Sequence, residues 1–320
     1  MLRGAQLILW GLFKKLVIAD VLAGTVDIVF GSVATVNGAQ SILGVIAYLV
    51  QDYTDFSGCI DIVRGVSACF GIELKDNFER PYFSLSIPEY WRRWHITLGT
   101  WFKDYIFYPI SISKFSLKLG KFGKKVFGEK AGKQLPAIFG LLVTWLTTGL
   151  WHGASWNYVL WGIFYGVIII LGILFKPIGE KIVQKLKINT NAWWYKTFLW
   201  CRTIWILCVG RIIFRCASIA DSWTLFAKTF SVFKYGLQFN TWYEIVPSMS
   251  SLITCLVACA VLLAVEIYKE KHPNVSILKS LHQKNTALQT VVILALFVSI
   301  ILFGAYGAGF NAKDFVYMQY

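Results

Sequence analysis

The sequence predicts an all-α integral membrane protein that crosses the bilayer several times. Of its 320 residues, 57% are hydrophobic and 15% are charged, whereas soluble domains carry about 45–50% apolar and about 25% charged residues. After residue 112, three runs of more than 20 residues contain no Asp, Glu, Lys or Arg, at 135–175, 245–265 and 285–312. Because a helix of about 20 apolar residues spans a bilayer, the first run is long enough for two spans and each of the others for one.

The first part of the chain combines apolar helices with charges. Lys14 and Lys15 interrupt the apolar start and no cleavage pattern follows, which favours a membrane or interfacial helix over a signal peptide. An Asp cluster that includes Asp55 and Asp61 lies at 51–65. Asp61 and Arg64 have the i,i+3 spacing of an ion pair. A structural ion network is therefore the favoured interpretation of the cluster.

Aromatic and basic residues are interleaved at 86–110. One helix face carries Trp91, His95, Leu98 and Phe102. This spacing predicts an interfacial or partly buried amphipathic helix anchored by its aromatic rings. His95 is either such an anchor or a site residue. Arg92 lies off this face, where it either marks the cytoplasmic boundary or holds a phosphate.

The basic residues give a coarse topology, because Lys and Arg accumulate in short cytoplasmic loops. Segment 113–134 has seven Lys and one Glu, and segment 176–196 has five Lys and one Glu. We expect both to be cytoplasmic loops, with a hairpin at 135–175 that turns near residue 155. The rest of 176–320 is predicted to supply C-terminal membrane helices. Its expected spans lie near 197–217, 245–265 and 286–310, with 218–244 and the last residues outside.

No internal repeat divides the chain, and we expect a single membrane domain over 1–320. Its first part, 1–112, holds the initial helices, the Asp cluster and the amphipathic segment. Most of the formal net charge of +14 comes from the basic segments that we expect to be cytoplasmic loops. The expected partner is therefore the lipid bilayer and not nucleic acid. A basic patch for anionic lipid or an acidic partner is also compatible with it. The seven cysteines lie in or beside apolar segments, which predicts no disulfide framework.

His152 is the only side chain in 135–175 that titrates near neutral pH. Ionisable groups inside a membrane are costly and usually mark function, although a packing histidine is the alternative. Gly149 and Gly153 flank it, and small residues leave room for a ligand or a close helix approach. The chain has no H-E-x-x-H, P-loop or G-x-S-x-G motif. The sequence therefore lacks the usual motifs of metal-dependent hydrolysis, nucleotide-driven transport and serine hydrolysis.

Several segments together carry a resemblance to a known family. They are "GLFKKLVIAD" (11–20), "DFSG" (55–58), the stretch 77–110 with its R-W-H, "GLWHGASWNYVLWGIFYG" (149–166), "IIFRCASIADSW" (212–223) and the closing "DFVYMQY" (314–320). The chain resembles the membrane-bound O-acyltransferase (MBOAT) family. It is most similar to the bacterial branch that contains the membrane subunit of alginate O-acetyltransferase. The combination of R-W-H with L-W-H-G is specific, although each piece alone would be weak.

The resemblance implies a helical enzyme that moves an acyl group, usually acetyl, to a hydroxyl of an extracellular polysaccharide or cell-wall polymer. The implied donor is a cytoplasmic thioester, acetyl-CoA or a carrier-bound acyl group, and no bound cofactor or metal is expected. It also implies a separate extracytoplasmic esterase-like partner that finishes the transfer. Members usually have further membrane helices before the "GLFKK" segment. We therefore expect this chain to lack the usual N-terminal helices and to correspond to the C-terminal two-thirds of the fold.

The resemblance further implies that His152 is the catalytic histidine and His95 the second motif histidine. The candidate substrate-binding residues are Trp151, Asn157, Trp94, Arg92 and Asp55. Acyl transfer to an alcohol needs a general base, and His152 is expected to supply it. His95 is expected to orient the thioester or to stabilise the developing oxyanion.

Two other functions remain open at this stage. In a transporter or channel, His152 and the Asp cluster would form a proton or solute path. In a non-catalytic scaffold of an export complex, the basic segments would dock partners, although the retained pair of histidines argues against that role.

Overall fold

The computed structural model of the chain describes residues 2–231, 239–246, 248–273, 275 and 286–306. Most of the described residues are helical, and one isolated antiparallel β-bridge joins Phe78 and Trp94. The α-helices are α1 Leu2–Leu12, α2 Asp20–Gly31, α3 Gly38–Cys69, α4 Ile87–Arg93, α5 Ile96–Phe102, α6 Tyr108–Ser111, α7 Lys114–Phe127, α8 Glu129–Trp151, α9 Trp156–Lys185, α10 Trp193–Arg215, α11 Ile219–Phe230, α12 Met249–Lys271 and α13 Thr286–Phe303. Two π-helical segments, Phe13–Ala19 and Lys103–Phe107, and two 3₁₀ segments, Pro81–Phe83 and Phe239–Ile245, complete the described structure.

Five of the described helices are long and apolar enough to cross a membrane, namely α8, α9, α10, α12 and α13. Four of them coincide with spans that the charge-free runs predicted, and α10 coincides with the span expected near 197–217. The all-α, multi-pass architecture is therefore confirmed. The closing segment 313–320, which was predicted to lie outside the membrane, falls outside the described residues. The side of the membrane assigned to each connection stays a prediction.

The chain forms two compact units. The first combines Met1–Asp76 with Ala220–Tyr320, and the second is Asn77–Ile219. In the first unit, α1 lies so close to α3 that a Cβ at Gly11 would meet the carbonyl oxygen of Gly58 at 2.5 Å. Small residues at such a contact let two helix backbones approach closely.

The Asp cluster of the first unit forms a buried ion network, as the favoured interpretation predicted. Lys15 Nζ lies 2.7 Å from a carboxylate oxygen of Asp55 and 2.9 Å from one of Asp20. Lys14 Nζ lies 2.7 Å from Asp61. Both lysines belong to the π-helical segment after α1, and Asp55 and Asp61 lie on α3. The cluster is therefore part of one continuous helix that is tied to the start of the chain by charge pairs.

Two segments predicted as basic loops are largely helical. The first, 113–134, forms α7 and the first turn of α8, because Ser113 caps α7 and Gly128, with a φ of +83°, ends it. A Cβ at Gly120 would meet the Pro136 ring at 2.9 Å, so α7 packs closely on α8. The second, 176–196, continues α9 as far as Lys185. The expectation that both segments are loops was therefore wrong, because charge along the sequence does not show whether a segment is helical.

Candidate active site

The site in the second unit is built on the hairpin of α8 and α9. Helix α8 ends at Trp151, His152 follows as its C-cap, and the chain reverses before Ser155, whose side chain caps α9. Gly153 has a φ of +138°, a conformation that side chains rarely adopt, so this turn requires glycine. The predicted hairpin is confirmed, and its turn lies where the sequence placed it.

Glycines bring the two helices of this hairpin together just before the turn. A Cβ at Gly149 would collide with the backbone of Tyr158, and a Cβ at Gly162 would collide with the backbone of Trp145. Small residues at these two positions let the helix backbones approach closely, and large aromatic side chains lie beside them. The result is a dense group of aromatic rings next to His152.

These rings form what we call the aromatic cluster. It consists of Trp91 from α4, Trp145 from α8, Trp161 and Tyr165 from α9, and Phe214 from α10. The ring centroids of Trp161 and Phe214 each lie 5.0 Å from that of His152, with both rings nearly perpendicular to the imidazole. His152 therefore lies in an apolar, low-dielectric environment, which strengthens any electrostatic interaction made there.

The second histidine lies at a break between two short helices. The sequence predicted one amphipathic helix over 86–110, and this was wrong, because Trp94 leaves the helix to form a β-bridge with Phe78. His95 then adopts a left-handed conformation with φ +47° and ψ +53°, and α5 begins at Ile96. A non-glycine residue held in this region is strained, and such residues cluster at functional sites.

Asn77 holds the His95 ring in place. Nδ1 of His95 lies 3.1 Å from Oδ1 of Asn77, and the same oxygen accepts hydrogen bonds from the backbone N–H and the hydroxyl of Thr97, at 3.1 and 2.7 Å. Burial lowers the pKa of His95 to about 4, so the ring is neutral at physiological pH. Sequence reasoning missed Asn77, because its partner lies 18 residues further along the chain.

Trp151 connects the two histidines. Its ring centroid lies 4.9 Å from that of His152 and 6.4 Å from that of His95. The two residues predicted to be catalytic, which are far apart in sequence, are thus brought into one site. Trp151 keeps 43% of its surface exposed, so it is a candidate contact for a substrate that reaches the histidines.

A buried arginine on α10 completes the site. Arg211 is 4% exposed, its guanidinium lies 4.6 Å from the centroid of the Trp94 ring, and its Nη2 donates to the hydroxyl of Tyr90 at 2.9 Å. Trp94, a predicted substrate-binding residue, therefore packs on this cation and is itself only 6% exposed. Arg211 was missed, although an arginine inside the predicted span 197–217 is a signal of function.

The other predicted binding residues lie elsewhere or have structural contacts. Asn157 is 3% exposed, and its Nδ2 donates to the backbone oxygens of Ile213 at 3.2 Å and Cys216 at 2.7 Å. These bonds tie the start of α9 to the end of α10, so the structure favours an anchoring role over substrate binding. Arg92 is exposed. Asp55 belongs to the first unit, where it pairs with Lys15.

Comparison with known proteins places these features in a family. Residues 4–219 match the model of MBOAT, the membrane-bound O-acyltransferase family. The probable alginate O-acetylase AlgI of Azotobacter vinelandii is 32% identical over 229 residues, which are 72% of this chain and 40% of that protein. The probable AlgI of Pseudomonas syringae pv. tomato is 34% identical over 229 residues, 72% of this chain and 39% of that protein.

Relatives with other acceptors also match. The peptidoglycan O-acetyltransferase of Helicobacter pylori is 36% identical over 157 residues, 49% of this chain and 27% of that protein. The teichoic acid D-alanyltransferase of Bacillus subtilis is 28% identical over 176 residues, 54% of this chain and 40% of that protein. The chain thus spans about two fifths of the length of the alginate O-acetylases that it matches.

Proposed function

Because the chain belongs to the membrane-bound O-acyltransferase family, we propose that it carries the catalytic site of an enzyme that acylates hydroxyls of a polymer outside the cell. The acyl group is acetyl, and the donor is a cytoplasmic thioester, either acetyl-CoA or an acyl group on a carrier. The observation that carries this proposal is the placement of both His152 and His95 next to Trp151, in one site of the second unit.

The relatives support the class of acceptor. Their names give alginate, peptidoglycan and teichoic acid, which are all polymers of the cell surface, and the transferred group is acetyl in some and D-alanyl in others. We propose an exopolysaccharide or a cell-wall polymer as the acceptor for this chain. We also propose an extracytoplasmic esterase-like partner, which would receive the acyl group or complete its transfer.

We assign to His152 the removal of the proton from the acceptor hydroxyl. A sugar hydroxyl is a weak nucleophile at neutral pH, and a neutral imidazole can remove its proton as the oxygen attacks the thioester carbonyl carbon. A new C–O bond forms, the C–S bond breaks, and the imidazolium returns the proton to the departing thiolate. The apolar surroundings of His152 favour the neutral ring that this base requires.

The tautomer of His95 limits what that residue can do. The backbone N–H of Thr97 can only donate, so the Asn77 atom that it contacts is the oxygen. Nδ1 of His95, which faces the same oxygen, must therefore carry the proton, and Nε2 keeps the lone pair. The oxyanion role expected for His95 does not fit this tautomer, because an oxyanion needs a donor. We propose instead that Nε2 accepts a hydrogen bond and orients the acceptor hydroxyl.

The transporter hypothesis receives no comparable support. It requires the carboxylates of the Asp cluster to serve a proton or solute path. Within the first unit, Asp55 and Asp61 are engaged by Lys15 and Lys14. The carboxylates thus have a structural explanation of their own.

The experiment is a transfer assay in membranes of cells that express the protein, with labelled acetyl-CoA or a carrier-bound acetyl thioester and a cell-surface polymer. His152→Gln keeps a hydrogen-bonding side chain but cannot serve as a base, so transfer should fall by about 10²–10⁴-fold. His272→Gln is the matched control, since His272 is exposed at the end of α12. If His152→Gln inserts normally and keeps more than about a tenth of the activity, the general-base role is wrong.

A further inference from the structure

Two tryptophans of the aromatic cluster carry buried donors. The indole Nε1 atoms of Trp91 and Trp161 are buried, and neither has a hydrogen-bond partner in the part of the chain that the structure describes. Trp161 is only 2% exposed. Buried N–H groups in native proteins nearly always have an acceptor, so each exception requires an explanation.

The surroundings of these two side chains are aromatic. Rings of Trp91, Trp145, His152, Tyr165 and Phe214 lie with centroids 5.0–6.1 Å from that of Trp161. An aromatic face is a weak acceptor compared with a carbonyl oxygen. A ligand that brings an oxygen into this cluster would therefore find strong donors with no competing protein acceptor.

The position of the donors relates them to the reaction. The ring of Trp161 meets that of His152 at 5.0 Å between centroids and an interplanar angle of 83°. Trp91 is 5.6 Å from Trp161 by the same measure, with an angle of 86°. The Trp161 ring thus lies directly beside the proposed base, and the Trp91 ring lies directly beside that of Trp161.

The reaction requires donors of this kind. When the acceptor oxygen attacks the thioester, the carbonyl oxygen becomes an oxyanion, and donors fixed in a low-dielectric site stabilise that charge. His95 presents an acceptor through Nε2, as its bond to Asn77 shows. The protein must therefore supply the donors from other residues.

We propose that the indole N–H groups of Trp161 and Trp91 bind the carbonyl oxygen of the acyl thioester and stabilise its oxyanion. This inference rests on the acyl-transfer function proposed above and adds the subsite for the reacting carbonyl. In the first step, the hydroxyl oxygen bonds to the carbonyl carbon, its proton passes to His152, and the C=O electron pair moves to the oxygen facing the indoles. In the second step, the C=O bond re-forms, the C–S bond breaks, and the thiolate takes the proton.

The cluster offers a matched control. Trp145 packs against Trp91 at 4.9 Å and against Trp161 at 6.1 Å, and it is 8% exposed. Its indole N–H is not one of the buried donors without an acceptor. Trp145→Phe therefore removes the same volume from the same cluster without removing one of the two proposed donors.

The test measures kcat and KM for the acetyl thioester in Trp161→Phe, Trp91→Phe and Trp145→Phe, with His152→Gln in parallel. Because the charge develops only in the transition state, the first two variants should lower kcat by about 10²-fold with little change in KM. Trp145→Phe should lower kcat much less. Benzothienylalanine at position 161 replaces the N–H with sulfur and keeps the ring shape. It should reproduce the loss of kcat, and it decides the question if Trp161→Phe does not fold.

The outcomes separate this inference from the function on which it rests. If Trp161→Phe and Trp91→Phe match Trp145→Phe, or if the benzothienyl variant keeps full kcat, the indole subsite is wrong. If at the same time His152→Gln is inactive, the proposed acyl transfer still stands. Full activity of His152→Gln would remove its general-base role, whereas a failure of the unaltered protein to transfer acetyl at all would overturn the proposed function itself.

Discussion

Asn77 and His95 form the contact that defines the second histidine of the site. Oδ1 of Asn77 lies 3.1 Å from Nδ1 of His95 and also receives the backbone N–H of Thr97. Since a backbone N–H is an obligatory donor, this second bond fixes the orientation of the amide and hence the tautomer of the imidazole. One side chain therefore determines which nitrogen of His95 faces the reaction.

Asn77→Ala should reduce transfer by about tenfold or more. The change removes the acceptor that holds His95, and an unsatisfied buried group costs about 1–3 kcal/mol. Asn77→Asp keeps an acceptor and adds a negative charge beside the ring, which raises the pKa of His95 from its low value of about 4. Its pH–rate profile should shift upward while activity is retained. Equal activity of Asn77→Ala and the wild type would exclude a positioning role.

Acid should destabilise the protein through His95. Because burial lowers the pKa of His95 from 6.5 to about 4, the unfolded chain takes up a proton between these values and the folded protein does not. The stability from this group is complete above pH 6.5 and is lost as the pH falls towards 4. At pH 5 the loss is about 2 kcal/mol. Thermal unfolding in detergent should show it, and His95→Gln should flatten the acid dependence. An unchanged dependence in that variant would contradict the assignment.

Asn157→Ala should affect stability more than catalysis. Its Nδ2 donates to the carbonyl oxygens of Ile213 and Cys216, so the substitution removes a donor from both at the end of α10 and costs about 1–3 kcal/mol. We expect a lower unfolding temperature and an unchanged KM for the acyl donor in the folded protein. Ser155→Ala, which removes only the cap of α9, provides a milder comparison. A raised KM with normal stability would restore the substrate-binding interpretation.

The basic segments 113–134 and 176–196 should face the cytoplasm. Lys121 and Lys181 are exposed on α7 and α9, and cysteines placed there in a cysteine-free background should resist a membrane-impermeant maleimide added to intact cells. A cysteine at the exposed Trp223 on α11 serves as the external control, because 218–244 was predicted to lie outside. Efficient labelling at 121 or 181 before cell lysis would reverse the topology.

The spans and the position of His152 could be predicted because they depend on properties that each residue carries by itself. A charge-free run such as 135–175 favours transfer into lipid, where the chain must be helical because unsatisfied backbone groups are costly. A single imidazole in that run indicates a functional residue, because ionisable groups inside a membrane are also costly. Periodicity failed at 86–110, because the β-bridge between Phe78 and Trp94 interrupts a pattern that would otherwise continue as one helix.

The sequence alone thus determined that the chain is helical, that it crosses a membrane, and that His152 and His95 are the histidines to consider. Only the tertiary structure decided that Trp151 contacts both of them, that Asn77 sets the tautomer of His95, and that the Trp161 indole lies beside His152. Membrane crossing follows from local composition, because the transfer of each side chain into lipid is nearly independent of the others. The site depends on contacts between residues distant in sequence, which exist only after the helices have packed.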